Sequence, residues 1–164
     1  MAHLMVQRLF GVGPIGAGIT FILLAVAIGV DRALDHPEIL RYGSLMQMLG
    51  VLLICAGLVL LLWSMYTLQN WWAKNRLCTT GPFRWFRHPM YAAWITFVSL
   101  GIALYLNSWI LLAWAVSEHP VWHWLVMREE KVMVEHFQDK YRAYAERTGR
   151  FIPRLWNPWH SQPH

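Results

Sequence analysis

The residues best suited to chemistry in this sequence lie in the segment 79–91, which leads into an apolar stretch. Gly81 and Pro82 predict a turn, and Arg87 and His88 follow it among several aromatic residues. Glycine allows a close backbone approach, and arginine and histidine side chains donate hydrogen bonds to anions. The segment therefore predicts an anion-binding loop. A simple interfacial anchor, with snorkelling arginines, is the alternative.

Three glutamates form the second group of candidate residues. Glu129 and Glu130 end the last apolar stretch, where they could bind ribose hydroxyls, face a sulfonium cation or simply pair with neighbouring basic residues. Glu118 lies within the apolar stretch, where an ionised group costs about 2.5–3.5 kcal/mol on the insertion scale. In a helix, Glu118 and Glu129 point within about 20° of each other. Glu118 is therefore either functional or a protonated or paired residue of the bundle.

A metal site is not predicted. His119 and His123 have the spacing that can share a metal or flank a haem, but no third ligand is evident from spacing.

The composition determines the class of protein. The chain has 164 residues, of which 57% are hydrophobic and only 14% are charged, whereas soluble domains carry about 25% charged residues. Disorder, a coiled coil and an ordinary soluble enzyme are excluded, and a single membrane domain is predicted. Of the 14 Lys and Arg residues, 11 follow residue 70, beside apolar stretches and Trp, which indicates an anionic membrane surface and no nucleic-acid partner.

Apolar stretches predict an all-α, polytopic membrane protein with about four transmembrane helices. Residues 9–30 and 42–73 are uncharged and long enough to cross a bilayer. The glycines of the first stretch favour close helix contact; they are Gly11, Gly13, Gly16 and Gly18. The stretch 89–127 is too long for one crossing, and Asn107-Ser108 predicts a turn in it, so it is interpreted as a helical hairpin of 89–106 and 109–127.

The positive-inside rule predicts the orientation. In a four-span topology, the N-terminal tail, the 74–88 loop and the C-terminal region hold 12 of the 14 basic residues, which places both termini in the cytoplasm. The spacing of apolar and aromatic residues over 128–144 predicts a cytoplasmic amphipathic helix. Trp156 and Trp159 in the tail 154–164 favour contact with the interface, and Cys55 and Cys78 are interpreted as free thiols.

With these residues in place, the segment from about 72 to 153 resembles the integral-membrane methyltransferases, which include isoprenylcysteine carboxyl methyltransferase and phospholipid N-methyltransferases. The resemblance rests on the order and spacing of four motifs: Gly81-Pro82-Phe83 with Arg87-His88-Pro89-Met90-Tyr91, then Glu129-Glu130, then 137–144, then Arg150-Phe151-Ile152-Pro153. It implies two N-terminal spans over 1–73 and a catalytic region over 74–153.

The resemblance also implies a cofactor and a site. S-adenosylmethionine would bind at the cytoplasmic face, and a lipophilic or lipid acceptor would enter from the bilayer. Expected cofactor-binding residues are His88, Pro89, Tyr91, Glu129, Tyr141, Tyr144 and Arg150. Expected catalytic residues are Arg87 and Glu130, with Glu118 added from its position in the last span.

The reaction expected is carboxyl methylation of an isoprenylcysteine-like acceptor, for which an arginine suffices to position the carboxylate. N-methylation of a phospholipid or S-methylation of a small thiol are the alternatives, and an amine or thiol needs a base such as Glu118, Glu130 or a histidine. Polar residues at 117–120 favour an acceptor that is smaller or more polar than a prenyl chain.

Two other classes remain open. One is an NADPH-dependent enzyme of the sterol-reductase type, which has a similar Arg-His-Pro segment but needs further basic residues for the extra phosphate. The other is a non-enzymatic four-span membrane subunit. The expected location is a bacterial or archaeal inner membrane, and the glycine-rich first span permits a homo-oligomer.

Overall fold

A computed structural model of the chain describes residues 12–40, 43–72 and 76–154. Within these ranges the chain forms a short 3-10 helix, Gly81–Arg84, and the longer helices α1 Gly13–Ala33, α2 Ser44–Trp72, α3 Pro89–Tyr105, α4 Trp109–Phe137 and α5 Asp139–Arg147. Among the described residues there are two isolated β-bridges and no strand, so the predicted all-α class is confirmed. The start of the first predicted span and the tail tryptophans lie outside the described residues.

Two helices are long and apolar enough to cross a membrane, Gly13–Ala33 and Ser44–Gln69. Most of their side chains are exposed to the surroundings, as expected for helices that face lipid. The hairpin α3–α4 is different, because α3 is a shorter apolar helix and α4 carries Glu118, Pro120 and several charged residues in its last turns. The four-span count therefore stays a prediction.

The predicted turn of the hairpin is confirmed. α3 ends at Tyr105 and α4 begins at Trp109. Asn107 has a left-handed φ of 52°, a conformation that asparagine tolerates better than most residues, and the Ser108 hydroxyl caps α4 by accepting a hydrogen bond from the Leu111 N–H at 3.2 Å.

The predicted boundaries of the cytoplasmic helix are wrong. α4 continues past residue 127 to Phe137, so most of the predicted helix 128–144 belongs to α4. Arg128, Glu129 and Lys131 are good helix formers, and the charges that end the apolar stretch therefore do not end the helix. The break comes at Gln138, whose φ of 49° turns the chain into the short helix α5.

Glycines allow α2 and α3 to pack closely. A Cβ added to Gly50 would lie 2.5 Å from the backbone nitrogen of Tyr105, and one added to Gly101 would lie 2.7 Å from the Ile54 side chain. Small residues serve the same purpose in many membrane helix pairs. α3 also packs against α4, and α1 packs against α4, so α3 and α4 occupy the centre of the bundle.

At one end of the bundle, side chains join the connection between α1 and α2 to the turn of the α3–α4 hairpin. Asn107 accepts a hydrogen bond from the Leu40 N–H at 3.1 Å and donates one to the Leu40 carbonyl at 2.7 Å. Asp31, at the end of α1, accepts from the hydroxyl of Ser108 at 2.5 Å and contacts His36 at 2.7 Å. These bonds fix the antiparallel register of the helices, which brings the predicted site residues together at the opposite end.

Candidate active site at the end of the helical bundle

The loop before α3 is held in place by α5. Tyr144 of α5 is buried, and its hydroxyl donates to the Phe83 carbonyl at 2.6 Å, with the Phe86 carbonyl at 3.3 Å. Burial raises the pKa of the Tyr144 phenol far above its usual range, so it remains a neutral donor. Tyr141 is also buried, and its ring packs 5.9 Å from that of Tyr144.

The C-terminal segment runs parallel to this loop. The Arg87 N–H donates to the Gly149 carbonyl at 2.7 Å, and the His88 N–H donates to the Arg150 carbonyl at 3.2 Å. Pro89 follows as the first residue of α3, a position where its missing N–H costs nothing. Backbone pairing therefore sets Arg87 and Arg150 side by side.

Both arginines bind one carboxylate, that of Glu130. Arg87 Nε lies 2.9 Å from Glu130 Oε1, and Arg150 makes two bonds, from Nε to Oε1 at 3.0 Å and from Nη2 to Oε2 at 2.6 Å. Burial by itself would raise the pKa of Glu130, but contacts from His88 and Arg150 and the charge of Arg87 outweigh burial and hold this pKa well below its usual range. Glu130 is therefore a carboxylate at neutral pH.

Arg87 has two further acceptors. Its Nη1 donates to the carbonyl oxygens of Ala145, at 2.6 Å, and Thr148, at 2.9 Å. The guanidinium thus connects the loop, the end of α5 and Glu130 of α4. These contacts indicate that Arg87 stabilises the relative positions of the loop, α5 and α4.

Glu129 has neutral hydrogen-bond donors. Its Oε1 accepts from the Tyr91 hydroxyl at 2.9 Å and from the Val12 N–H, just before α1, at 2.8 Å. Glu129 therefore joins the starts of α1 and α3 to α4.

His88 lies between the two carboxylates. Its Nδ1 is 3.5 Å from Glu129 Oε2 and its Nε2 is 3.4 Å from Glu130 Oε1, both longer than good hydrogen bonds. The imidazole stacks on the ring of Tyr91, with centroids 5.6 Å apart and an interplanar angle of 13°. This position lets His88 move toward either carboxylate, or toward a bound group, with small side-chain changes.

An open cleft of about 390 Å³ adjoins this cluster. All of its lining residues except Arg150 belong to α4; they are Met127, Glu130, Lys131, Val134, Glu135 and Arg150. Its volume falls within the range of small-molecule and cofactor sites. The cleft offers two carboxylates, one guanidinium, one ammonium group and the apolar side chains of Met127 and Val134.

Glu118, which was expected to be catalytic with Arg87 and Glu130, lies apart from this cluster. It sits 11 residues before Glu129 on α4, about 16 Å along the helix axis. It is fully buried and accepts a hydrogen bond from the Ser99 hydroxyl at 2.7 Å. Glu118 therefore points toward the same side of α4 as Glu129 but is too far from the arginine cluster to act with it.

Several contributors to the cluster were missed by sequence reasoning. They include the Val12 N–H and the carbonyl oxygens of Ala145, Thr148 and Gly149. These are backbone groups, which carry no signature in the amino-acid types. Within the parts of the chain that the structure describes, no group of three His, Cys, Asp or Glu residues could hold a metal. Cys55 and Cys78 are free thiols, which confirms that prediction.

Comparisons with known proteins give a consistent result. Cobalt-zinc-cadmium resistance protein CzcN of Cupriavidus metallidurans is 29% identical over 140 residues, covering 84% of this chain and 61% of that protein. Protein-S-isoprenylcysteine O-methyltransferase of Tribolium castaneum is 30% identical over 78 residues, covering 47% of this chain and 27% of that protein. This chain thus spans less than two thirds of the length of either relative.

The fold is also similar to a solved one. The structure of the eukaryotic intramembrane Ras methyltransferase ICMT, isoprenylcysteine carboxyl methyltransferase, aligns with a TM-score of 0.55 at 22% identity, covering 85% of this chain and 51% of that one. A family model for phospholipid methyltransferases matches residues 45–140, which include α2, α3, α4 and the Arg87–Glu130 contact. The predicted resemblance to membrane methyltransferases is confirmed, and the chain belongs to the phospholipid methyltransferase family.

Proposed function

We propose that this chain is a membrane-embedded methyltransferase that takes its methyl group from S-adenosylmethionine. The observation that carries the proposal is the convergence of Arg87, His88 and Arg150 on Glu129 and Glu130 beside an open cleft. Family membership supports the reaction type. A methyl sulfonium is already activated, so the protein mainly has to align the acceptor, the methyl group and the sulfur and exclude water.

The contacts divide the predicted residues into two roles. Arg150 and Glu130 line the cleft, so they are the groups we assign to the polar ends of the cofactor: a guanidinium for the methionyl carboxylate and a carboxylate for hydroxyl groups or the amino group. Glu129 and His88 do not line the cleft, but His88 lies between Glu129 and Glu130, so we include both in the proposed polar site. Arg87 and Tyr144 use their donors on backbone carbonyls, so we assign them to support of the loop.

A carboxylate is the acceptor that these residues suit best. Glu130, held ionised by two arginines, is a poor base, and an amine or thiol acceptor must lose a proton. A carboxylate acceptor has no proton to lose, so its methylation requires no base in the site. We therefore propose carboxyl methylation of an isoprenylcysteine-like, lipophilic acceptor that enters from the bilayer.

The proposed topology follows from the same arrangement. α1 and α3 start, and α2 and α4 end, on the side of the cluster, as four antiparallel spans require. From the positive-inside rule and the basic residues of the loop 74–88 and the C-terminal region, we propose that the site and both termini lie in the cytoplasm. We propose a bacterial or archaeal inner membrane as the location. The catalytic region 74–153 and the spans over 1–73 then form one membrane domain.

Isothermal titration of the detergent-purified protein with S-adenosylhomocysteine tests the cofactor. We expect saturable binding that Glu129→Gln weakens by about tenfold or more, because a charge-assisted contact is lost. Arg142→Gln, which changes an exposed arginine of α5, is the matched control and should leave binding unchanged. NADPH serves as the competing ligand: binding of NADPH without binding of adenosyl compounds would overturn the proposal in favour of a reductase.

The acceptor is tested by transfer of a labelled methyl group from S-adenosylmethionine in proteoliposomes. Three acceptors are compared: an N-acetylated S-farnesyl cysteine, phosphatidylethanolamine and a small aliphatic thiol. We expect label in the first as a base-labile methyl ester. Label that resists base, in the phospholipid or the thiol, would replace the carboxylate proposal with N- or S-methylation.

A further inference from the structure

Helix α1 lies outside the matched family segment 45–140, yet it contacts the candidate site at several levels. At its start, the Val12 N–H binds Glu129, and a Cβ added to Gly13 would lie 3.4 Å from the Tyr91 hydroxyl. Further along, α1 contacts the indole ring of Trp122 in α4, and Trp122 is only 3% exposed. α1 thus contacts the candidate site through residues that do not line the cleft.

Two residues of α1 fix the Trp122 ring. The indole Nε1–H donates to the hydroxyl of Thr20 at 3.1 Å, and both groups are buried. One turn earlier, Gly16 lies so close that an added Cβ would be 2.5 Å from Cη2 of the same ring. The hydrogen bond sets the orientation of the indole, and the missing side chain at Gly16 provides the space that this orientation requires.

The indole in turn contacts the residue that orients Glu129. The rings of Trp122 and Tyr91 lie 4.7 Å apart with an interplanar angle of 42°. The Tyr91 hydroxyl donates to Glu129 Oε1, and its ring stacks on His88. A shift of the Trp122 ring therefore moves Tyr91, and with it a carboxylate and an imidazole of the candidate site.

Helix geometry on α3 supports this contact. Residues Ala93–Val98 form a π-helical segment, which holds more residues per turn and so turns the following residues back relative to an α-helix. Tyr91, before the segment, and Ser99, after it, consequently both reach α4, where they bind Glu129 and Glu118. Such segments occur frequently at functional sites.

We propose that Gly16 and Thr20 of α1 are positioning residues of the methyl-donor site, acting through the indole of Trp122. This inference rests on the proposed function, because it assigns α1 a role at the site proposed there. The two residues touch neither the cleft nor the charged cluster. They set where Tyr91 places the Glu129 carboxylate.

The first test compares two glycines of the same helix. Gly16→Ala forces the Trp122 ring to move, whereas a Cβ on Gly18 meets nothing within 4 Å. Alanine improves helix propensity equally at both positions, so general effects on the helix cancel. We expect Gly16→Ala to weaken binding of S-adenosylhomocysteine by about tenfold, as for residues that orient a directly binding group, and Gly18→Ala to leave it within about twofold.

The second test removes the hydrogen bond between Trp122 and Thr20, whose hydroxyl also interacts with the Glu118 carboxyl group. Thr20→Val and Trp122→Phe should each weaken binding of S-adenosylhomocysteine by a similar factor, and the double variant should bind no more weakly than either single variant. Thr20→Ser keeps the hydroxyl group and should bind with wild-type affinity. Trp114→Phe is the matched control, because Trp114 is buried in the same helix but its indole nitrogen has no hydrogen-bond partner among the described residues. Equal losses in Trp114→Phe and Trp122→Phe would contradict the inference.

Hydrogen exchange at the Val12 amide separates this inference from the proposed function, because it needs no ligand. That amide binds Glu129, so displacement of the carboxylate should speed its exchange in Gly16→Ala and Thr20→Val but not in Gly18→Ala. If the wild type binds no adenosyl compound, the proposed function fails, and so does the assignment of a methyl-donor site. If the wild type binds but the variants match it in affinity and in Val12 exchange, this inference alone is overturned.

Discussion

Arg150 and Glu130 face each other through two hydrogen bonds, with Arg150 Nε 3.0 Å from Oε1 and Nη2 2.6 Å from Oε2 of the carboxylate. Arg150 follows α5, and Glu130 lies in the last third of α4. Arg87, from the loop before α3, binds the same Oε1. One carboxylate therefore connects three segments that are distant in the sequence, and the half-buried pair raises the pKa of the Arg150 guanidinium above its usual range through the bond to Glu130.

Glu130→Gln should destabilise the protein. The amide keeps the size of the side chain but leaves two guanidinium groups without their counter-ion, which typically costs about 3 kcal/mol at a partly buried site. The free energy of unfolding, measured by titration with SDS in mixed micelles, checks this. Glu146→Gln, at an exposed position of α5, is the control, and an equally small effect of both substitutions would contradict the role of Glu130 as the connecting residue.

Acidification should weaken the same contact. The pKa of Glu130 in the folded protein lies below its ordinary value of 4.5, so the stabilisation is complete above about pH 4.5 and is lost as the pH falls toward the folded-state pKa. We expect the thermal midpoint of the wild type to drop between pH 5 and pH 3 by more than that of Glu130→Gln. Parallel pH profiles for the two proteins would show that Glu130 does not titrate with a depressed pKa.

Removal of the Tyr144 hydroxyl should loosen the loop before α3. Tyr144→Phe leaves the buried carbonyl oxygen of Phe83 without this donor, at a cost of about 1–2 kcal/mol. Limited proteolysis after Arg84, an exposed residue in the same loop, should become faster. Tyr66→Phe, on the exposed face of α2, should change neither stability nor cleavage; acceleration in both variants would point to a global effect.

The turn between α3 and α4 should respond differently to alanine and to glycine. Both Asn107→Ala and Asn107→Gly lose the two side-chain bonds to the Leu40 backbone. Only alanine also carries a Cβ into the left-handed conformation at φ 52°, which costs about 1 kcal/mol more. Glycine should therefore be the milder substitution in the free energy of unfolding, and equal losses would mean that the turn relaxes to another conformation.

Much of the fold was predictable from local patterns. Uncharged stretches marked α1 and α2, and Asn107-Ser108 marked the turn, because both depend on residue types within a few positions. The end of α4 was not predictable in this way. Charged residues after 127 end the apolar stretch but are good helix formers, and the break at Gln138 depends on how α5 packs Tyr141 and Tyr144 against the loop.

The amino-acid sequence by itself determined the membrane class, the two apolar helices and the motifs that carry the family resemblance, since composition and spacing are properties of the chain. Tertiary structure decided which of the three glutamates share a site. Glu118 and Glu129 lie on the same side of α4, but the helix rise separates them, and hydrogen bonds from Val12, Tyr91 and the arginines reach only the end where α1, α3 and the C-terminal segment meet. Those donors include backbone groups, whose positions follow from packing and not from residue type.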